Sequence, residues 1–418
     1  MKEIKAEILA IGDELLYGQI IDTNSLWISQ VLTLIGVSVI HRTTIGDDEA
    51  SILSAFRAAE HRADIILITG GLGPTSDDLT KPLLAKYFNC ELSLVPEALE
   101  AVSAFFSKRG RELTELNKLQ AHLPTKCQYV PNLMGTAPGM WFEENGALWM
   151  SMPGVPHEMK HLMESFVLPQ IKERFKLPVI YHKIIQTTGI GESWLSDLIH
   201  DWEKSLPAHI KLAYLPSLGQ VRLRLTAFGK NLDTLQEEVN HLITKLLPSI
   251  EKYVFGYDDE TLEEAVGNLL LNRKSTLAIA ESCTGGYVSH MITRIPGSSA
   301  YYQGSIIPYH NGFKTTLLEV NQHTLDLSGA VSEETVIEMA QNVRMKFGAD
   351  FGLASSGIAG PDGGTAAKPV GTVWLACAYN DKVVTKKLQL ASDRMLNIQI
   401  SALSALNLLR NCILEINE

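Results

Sequence analysis

No two of the five cysteines stand at C-x-x-C spacing. Cys90, Cys127, Cys283, Cys377 and Cys412 are scattered, and their number is odd. That pattern argues against a disulfide framework and a thiolate zinc site, and it suits a reducing cytoplasm. Positive charge is also in short supply. Lys and Arg total 36 against 47 Asp and Glu, a formal net charge of −11. A general nucleic-acid surface needs the opposite balance, although a local basic pocket for a small anion does not. No apolar run approaches the ~18 residues of a membrane span. The opening MKEIKAEILAIGDE meets acidic residues too early for a signal peptide. Low-complexity tracts are missing as well. The expectation is a cytoplasmic protein with neither nucleic acid nor membrane as partner. At 418 residues the chain suggests two or three domains.

The first stretch alternates short apolar strands with helices: strands at 6–11, 37–42 and 64–69, helices at 25–35 and 49–62. Such a pattern predicts an α/β domain with a parallel-type sheet covered on both faces. Further helices are expected at 94–108, 112–122 and 156–175, the last interrupted by Pro169. A glycine/proline loop is expected at 132–140 and a strand at 147–152. In sheets of this kind ligands bind beyond the carboxyl ends of the strands. Two loops have that position, one from Gly12-Asp13-Glu14 to Asn24, the other GGLGPTSDDLT from Gly70 to Thr80. Gly70, Gly71 and Gly73 permit a tight turn against a phosphate-bearing ligand, and Thr80 opens the next helix. The loop is not a P-loop, because the Lys-Ser/Thr pair is missing. Asp77 and Asp78, with Asp13 and Asp22 on the other loop, are the acids that a magnesium-like divalent cation needs for phosphate chemistry. Solvated, helix-capping acids are the alternative. Acids gathered from separate loops favour the metal.

Residues 176–255 differ in character. Strands are expected at 179–186, 210–214 and 221–228, the last strictly alternating, with helices at 192–199 and 232–247. A small α+β linking domain fits. Gly189-Ile190-Gly191-Glu192 reads as a helix-start turn before it reads as a ligand loop.

From residue 256 onward an α/β sandwich is expected: a helix at 261–271, strands at 277–280, 350–355, 370–378 and 383–390, helices at 287–293, 331–347 and 396–414. Its most informative stretch runs from the strand at 277–280 through Glu281-Ser282-Cys283-Thr284-Gly285-Gly286 into a helix. Adjacent glycines let the backbone approach a ligand closely, and helix N-terminal N–H groups suit an oxyanion. Ser282 presented there is a candidate nucleophile, provided a base is near. On Ser282 alone an ordinary N-cap is the stronger reading. Downstream, Tyr309-His310-Asn311-Gly312-Phe313-Lys314 supplies candidate partners. Cys283 is a weaker nucleophile candidate, its side chain being expected on the opposite side of the turn.

ESCTGG, PGSSAYYQGSIIPYHNGFK, GAVSEETV, SSGIAGPDGG, KPVGTVW and SDR together resemble the C-terminal domain of the CinA (competence/damage-inducible) family, which is similar to the NMN deamidases. The resemblance runs from about Thr261 to the C-terminus. GGLGPTSDDLT, with GDELLYGQIIDTNS and Met152-Pro153-Gly154-Val155-Pro156, resembles the molybdopterin-binding domains of the MoaB/MogA class, also the N-terminal domain of CinA proteins. The whole is identified as a CinA-family protein. Implied are a MogA-like three-layer α/β domain over residues 1–175, the linking domain at 176–255 and an amidohydrolase domain at 256–418.

The resemblance implies a bifunctional enzyme of pyridine-nucleotide salvage. The C-terminal domain would convert NMN to nicotinate mononucleotide and ammonia without a cofactor, with Ser282 as nucleophile, Lys314 as its base and Tyr309 relaying the proton or orienting Lys314. Substrate would be bound through Thr284, Gly285, Gly286, Asn311, Gly360, Gly363, Gly364, Thr365 and Arg394. The N-terminal domain would cleave ADP-ribose with a divalent metal on Asp13, Asp22, Asp77 and Asp78, substrate lying against Gly70, Gly71, Gly73 and Thr80. Leu72 replaces the first Thr of the molybdopterin enzymes' loop. The alternatives are a non-hydrolytic pterin-binding module at the N-terminus, or a competence-linked interaction protein throughout. A homodimer is what the resemblance implies for assembly.

Overall fold

A computed structural model of the chain describes residues 3–75 and 77–416. Ser76, in the second acidic loop, lies outside the described residues. Two compact units form, Met1–Tyr181 with Phe228–Gln236, and His182–Ala227 with Glu237–Glu418.

The first unit is built on a six-stranded sheet. In spatial order its strands are Ser38–Ile45, Lys5–Ile11, Ile65–Thr69, Ala147–Met152, Gly139–Glu144 and Gln128–Val130. The first four run parallel, the last two antiparallel to their neighbours. Successive side chains of a strand point to opposite faces, and both faces here are apolar. Leu9, Ile11, Ile66 and Ile68 enter one core with Phe56, Phe88 and Trp149. Ala6, Ile8, Ile65 and Leu67 enter the other with Ile28, Leu32 and Leu162. Burying central strands on both sides is what makes this a three-layer α/β domain with a mostly parallel sheet.

Two expectations in this unit are corrected. The stretch 132–140 is not all loop, since Gly139 starts a strand paired with Gln128–Val130 and Ala147–Met152. The expected helix at 112–122 shrinks to Glu115–Lys118, a single further turn at Leu119–Ala121 and a short strand His122–Pro124. The break expected at Pro169 takes the form of a change in winding just before it. A wider π-turn at Met163–Val167 precedes it, and Pro169 sits in the first turn of Leu168–Arg174, where its missing N–H is harmless.

The middle sheet is antiparallel, in the order Ile210–Ser217, Gln220–Gly229, Val179–Thr188, Val254–Tyr257. The alternation at 221–228 is realised, with Val221, Leu223, Leu225 and Ala227 all buried. The third sheet is mixed, in the order Tyr302–Ile306, Leu277–Glu281, Phe351–Gly357, Thr372–Tyr379, Lys382–Gln389. Its first three strands are parallel and its last two antiparallel. Alternation again sorts two cores: Leu277, Ile279, Phe351 and Leu353 pack on the helices Leu262–Arg273 and Arg394–Glu415, while Ala278, Ala280 and Ala354 face the helix Glu333–Phe347. Among the described residues no helix is long and apolar enough to cross a membrane.

Candidate functional site

The strand Leu277–Glu281 ends where its neighbour's carbonyl still holds it: the Ser282 N–H donates to the Ser355 carbonyl at 3.0 Å. Ladder pairing thereby continues one residue past the strand and fixes Ser282 at the carboxyl edge of the sheet. Gly285 (φ 60°) and Gly286 (φ 98°) then turn the chain in the left-handed region, which favours glycine, and the helix Tyr287–Thr293 begins. Glu281, wholly buried, clamps this start. Its carboxylate accepts the N–H groups of Gly286 (3.0 Å), Val288 (3.1 Å) and Ser289 (2.8 Å), and the Ser289 hydroxyl at 2.5 Å. Ser282 is therefore not the helix cap.

Lys314 reaches Ser282 from the short helix Asn311–Thr316. Its Nζ lies 3.0 Å from Ser282 Oγ and donates to the Pro308 carbonyl at 3.0 Å. Lys314 is 1% exposed, and burial holds its pKa below the ordinary lysine value. A buried amine with no carboxylate partner gives up its proton more readily than an exposed lysine, because desolvation penalises the ammonium form. Cys283 behaves differently. It packs in the apolar core, and burial pushes its thiol up to about 12, so no thiolate is available at neutral pH.

The oxyanion donors can be narrowed. Of the N–H groups at 283–286, Gly286 is taken by Glu281 and Gly285 donates to the Ser282 carbonyl at 3.2 Å. Those of Cys283 and Thr284 have no carbonyl or carboxylate partner among the described residues. The Thr284 hydroxyl is occupied at 2.7 Å from Ser355 Oγ, which places it in the wall rather than on a substrate. Tyr309 is not a partner of Lys314. It is 58% exposed, and its hydroxyl accepts from Arg394 Nη2 at 2.7 Å, so the relay expected of it is corrected to a contact with Arg394. Arg394 Nη1 donates to the Gly360 carbonyl at 2.8 Å. Tyr309, Gly360 and Arg394 thus come together. Gly363, Gly364 and Thr365 continue that exposed loop, with the Thr365 hydroxyl accepting from the Lys368 N–H at 3.1 Å. Asn311 is exposed at the start of its helix.

The first unit has a cleft of 660 Å³ beyond the carboxyl ends of its parallel strands. Gly70 can approach so closely there only because it lacks a side chain: a Cβ would lie 2.1 Å from the Ile11 carbonyl oxygen. At Gly71 a Cβ would strike Thr80 Oγ1. Thr80 is buried, and its hydroxyl donates to the Gly70 carbonyl at 2.9 Å, so it shapes the loop from behind. Asp78 lines the cleft while holding the loop, accepting from the N–H groups of Gly73 (2.8 Å) and Thr75 (3.0 Å) and from the Thr75 hydroxyl. Asp22 and Asp77 line the cleft, Asp22 also capping the helix Thr23–Leu34. Asp13 does not. Its carboxylate accepts the Asp47 N–H and its own N–H donates to the Asp47 carboxylate, and Asp47 lines the cleft in its place. Burial raises the Asp47 pKa, and the nearby charges of Asp13, Glu14 and Asp77 add to the rise. No three acid, histidine or cysteine side chains form a ready cage among the described residues.

Three family models match this chain. Residues 259–413 match the CinA C-terminal domain, residues 182–256 the damage-inducible protein CinA KH domain, and residues 7–173 a probable molybdopterin binding domain. A CinA-like protein of Cytophaga hutchinsonii is 50% identical over 413 residues, covering 99% of both chains. One from Amoebophilus asiaticus is 43% identical over 97% of this chain and 99% of its own. The chain belongs to the CinA family. A crystal structure of the competence/damage inducible protein from Agrobacterium tumefaciens, 34% identical, covers 36% of this chain and 92% of its own, with a TM-score of 0.35.

Within this CinA-family chain the sequence reading missed Glu281, Ser355, Pro308 and Asp47. Pro308 acts through a backbone carbonyl, which no side-chain pattern reveals. Ser355 meets Thr284 across 71 residues of chain. Glu281 was the most legible of the four, since an acid one residue beyond a wholly apolar strand must find donors.

Proposed function

We propose that the C-terminal domain hydrolyses the carboxamide of NMN to nicotinate mononucleotide and ammonia. The carrying observation is the 3.0 Å approach of the buried Lys314 Nζ to Ser282 Oγ. In its neutral form Lys314 accepts the Ser282 proton while Oγ bonds to the carboxamide carbon. The resulting oxyanion accepts from the N–H groups of Cys283 and Thr284. Lys314 returns the proton to the departing ammonia, leaving an ester on Ser282. A water, deprotonated by the same amine, then releases the carboxylate and restores the hydroxyl. Arg394 would hold the nucleotide phosphate, a guanidinium being a fork for phosphate oxygens.

For the N-terminal domain the reading is a divalent-metal-dependent ADP-ribose pyrophosphatase. The crowding of Asp47 by other carboxylates supports a cation there. Asp22, Asp47 and Asp77 would hold it, and the bound ion would neutralise pyrophosphate oxygens. The glycines at 70, 71 and 73 would bring backbone close to the same group. The match of residues 7–173 to a probable molybdopterin binding domain favours a second reading, a pterin-binding module without hydrolysis.

The test is ammonia release from NMN in the presence of chelator, for wild type, Ser282→Ala and Lys314→Ala. Turnover in the wild type and its loss in both folded variants are expected. A folded wild type that releases no ammonia removes the deamidase reading. ADP-ribose turnover with and without magnesium separates the two readings of the first domain.

A further inference from the structure

A second cavity, of 360 Å³, lies within the second unit, far in sequence from the Ser282 turn. One wall is the turn Thr188-Gly189-Ile190-Gly191 leading into the helix Glu192–Lys204. Lys386 on the strand Lys382–Gln389 and Ser404 and Asn407 on the helix Arg394–Glu415 also line the cavity.

Three features of this cavity match one ligand chemistry. The 13-residue helix Glu192–Lys204 begins at Gly191 with no side-chain cap, which leaves first-turn N–H donors and the positive end of the helix dipole free. Lys386 has neither a carboxylate nor a hydrogen-bond partner among the described residues. Asn407 is only 7% exposed, and neither its buried Oδ1 nor its Nδ2 makes a hydrogen bond among the described residues. Its Nδ2 points towards the Gly189 turn, 2.9 Å from where a Cβ of residue 189 would stand. A buried amide without partners is rare in a folded protein and marks a place where something else completes the hydrogen bonding. A side chain at 189 would collide with that amide, so glycine there lets Asn407 reach the turn.

We infer that this cavity binds the phosphate group of a small phosphorylated metabolite. The helix start and Lys386 supply charge, Asn407 and the Gly189–Gly191 backbone supply donors, and the volume falls in the range of small-ligand sites, roughly 300–1,000 Å³. Glu192 also lines the cavity, in the first turn of the helix. It opposes an anion, and therefore sets the sign of one test. The proposed binding residues differ from those of the deamidase reading, so either can fail alone.

The experiment is isothermal titration of the full chain with inorganic phosphate and with ribose 5-phosphate, at fixed ionic strength and with chelator. Wild type, Lys386→Ala, Glu192→Gln and Arg394→Ala are compared. Saturable binding is expected in the wild type, weakened roughly tenfold in Lys386→Ala and tightened several-fold in Glu192→Gln. Arg394→Ala should leave this binding in place, since Arg394 belongs to the edge near Tyr309. Absence of saturable binding in the wild type overturns the inference. So does binding lost in Arg394→Ala but unchanged in Lys386→Ala and Glu192→Gln, which would place the anion at the deamidase edge. If Lys386→Ala does not fold, the direction of the Glu192→Gln effect decides.

Discussion

Lys314 is an amine held where an ammonium is poorly solvated, and that single placement has consequences for both catalysis and stability. Burial lowers its pKa from 10.5 in the folded state. Below the lowered value it is charged in both folded and unfolded chains, so folding bears the full penalty of burying the charge. As pH rises from the lowered value towards 10.5 the folded state holds fewer protons than the unfolded one, and the penalty fades. Lys314→Met removes the charge at nearly constant volume. It should abolish ammonia release, by roughly a thousandfold or more, while raising the midpoint of thermal unfolding at neutral pH. A lower midpoint would contradict the burial argument. The same placement predicts that kcat/KM for NMN falls as pH drops through an apparent pKa below that of ordinary lysine, because only the neutral amine accepts the Ser282 proton. Glu281 is the second residue of this kind. It satisfies four donors at once, so Glu281→Gln should cost about 1–3 kcal/mol in a denaturant titration. It should also lower kcat more than it raises KM, since the turn it clamps carries the proposed nucleophile and the Cys283 and Thr284 N–H groups. An unchanged kcat would make Glu281 a purely structural residue.

At the scale of elements, glycine loops at the carboxyl ends of parallel strands decide where ligands can approach. Gly70→Ala tests this in the first unit. Its φ of 104° and the 2.1 Å approach to the Ile11 carbonyl are both backbone constraints, which a rotamer change cannot relieve. The variant should lose ADP-ribose turnover, with NMN deamidation retained as the control for a folded chain. Retained ADP-ribose turnover would show that the loop is not the substrate's seat. This level of structure was largely legible beforehand, because strands buried on both faces read as unbroken apolar runs and their glycine exits stand out. The strand pair at 128–130 and 139–144 was not legible. Its pairing depends on a neighbour at 147–152, and the glycines and prolines between hide it. The site was legible to the extent that it is local. Ser282 and the 285–286 glycines are adjacent in sequence, and Lys314 follows in a recognisable motif. Asp47 and the Arg394–Tyr309 contact depend on tertiary approach across 34 and 85 residues of chain, which no spacing encodes.

Two of the molecule's sheets carry proposed chemistries that have no residue in common. The deamidase reading uses a buried amine and backbone donors and needs no cation. The pyrophosphatase reading depends on carboxylates whose mutual repulsion a divalent ion relieves. Opposite electrostatic needs of this sort predict that the activities separate cleanly. Chelator should abolish ADP-ribose cleavage and leave ammonia release from NMN within about twofold, since chelation does not touch the Ser282–Lys314 pair. Ser282→Ala should do the reverse. A double variant, Ser282→Ala with Asp77→Asn, should lose both, each loss equal to that of its single variant, as expected for sites that share no partners. Ammonia release that falls with chelator would mean the cation also supports the second unit.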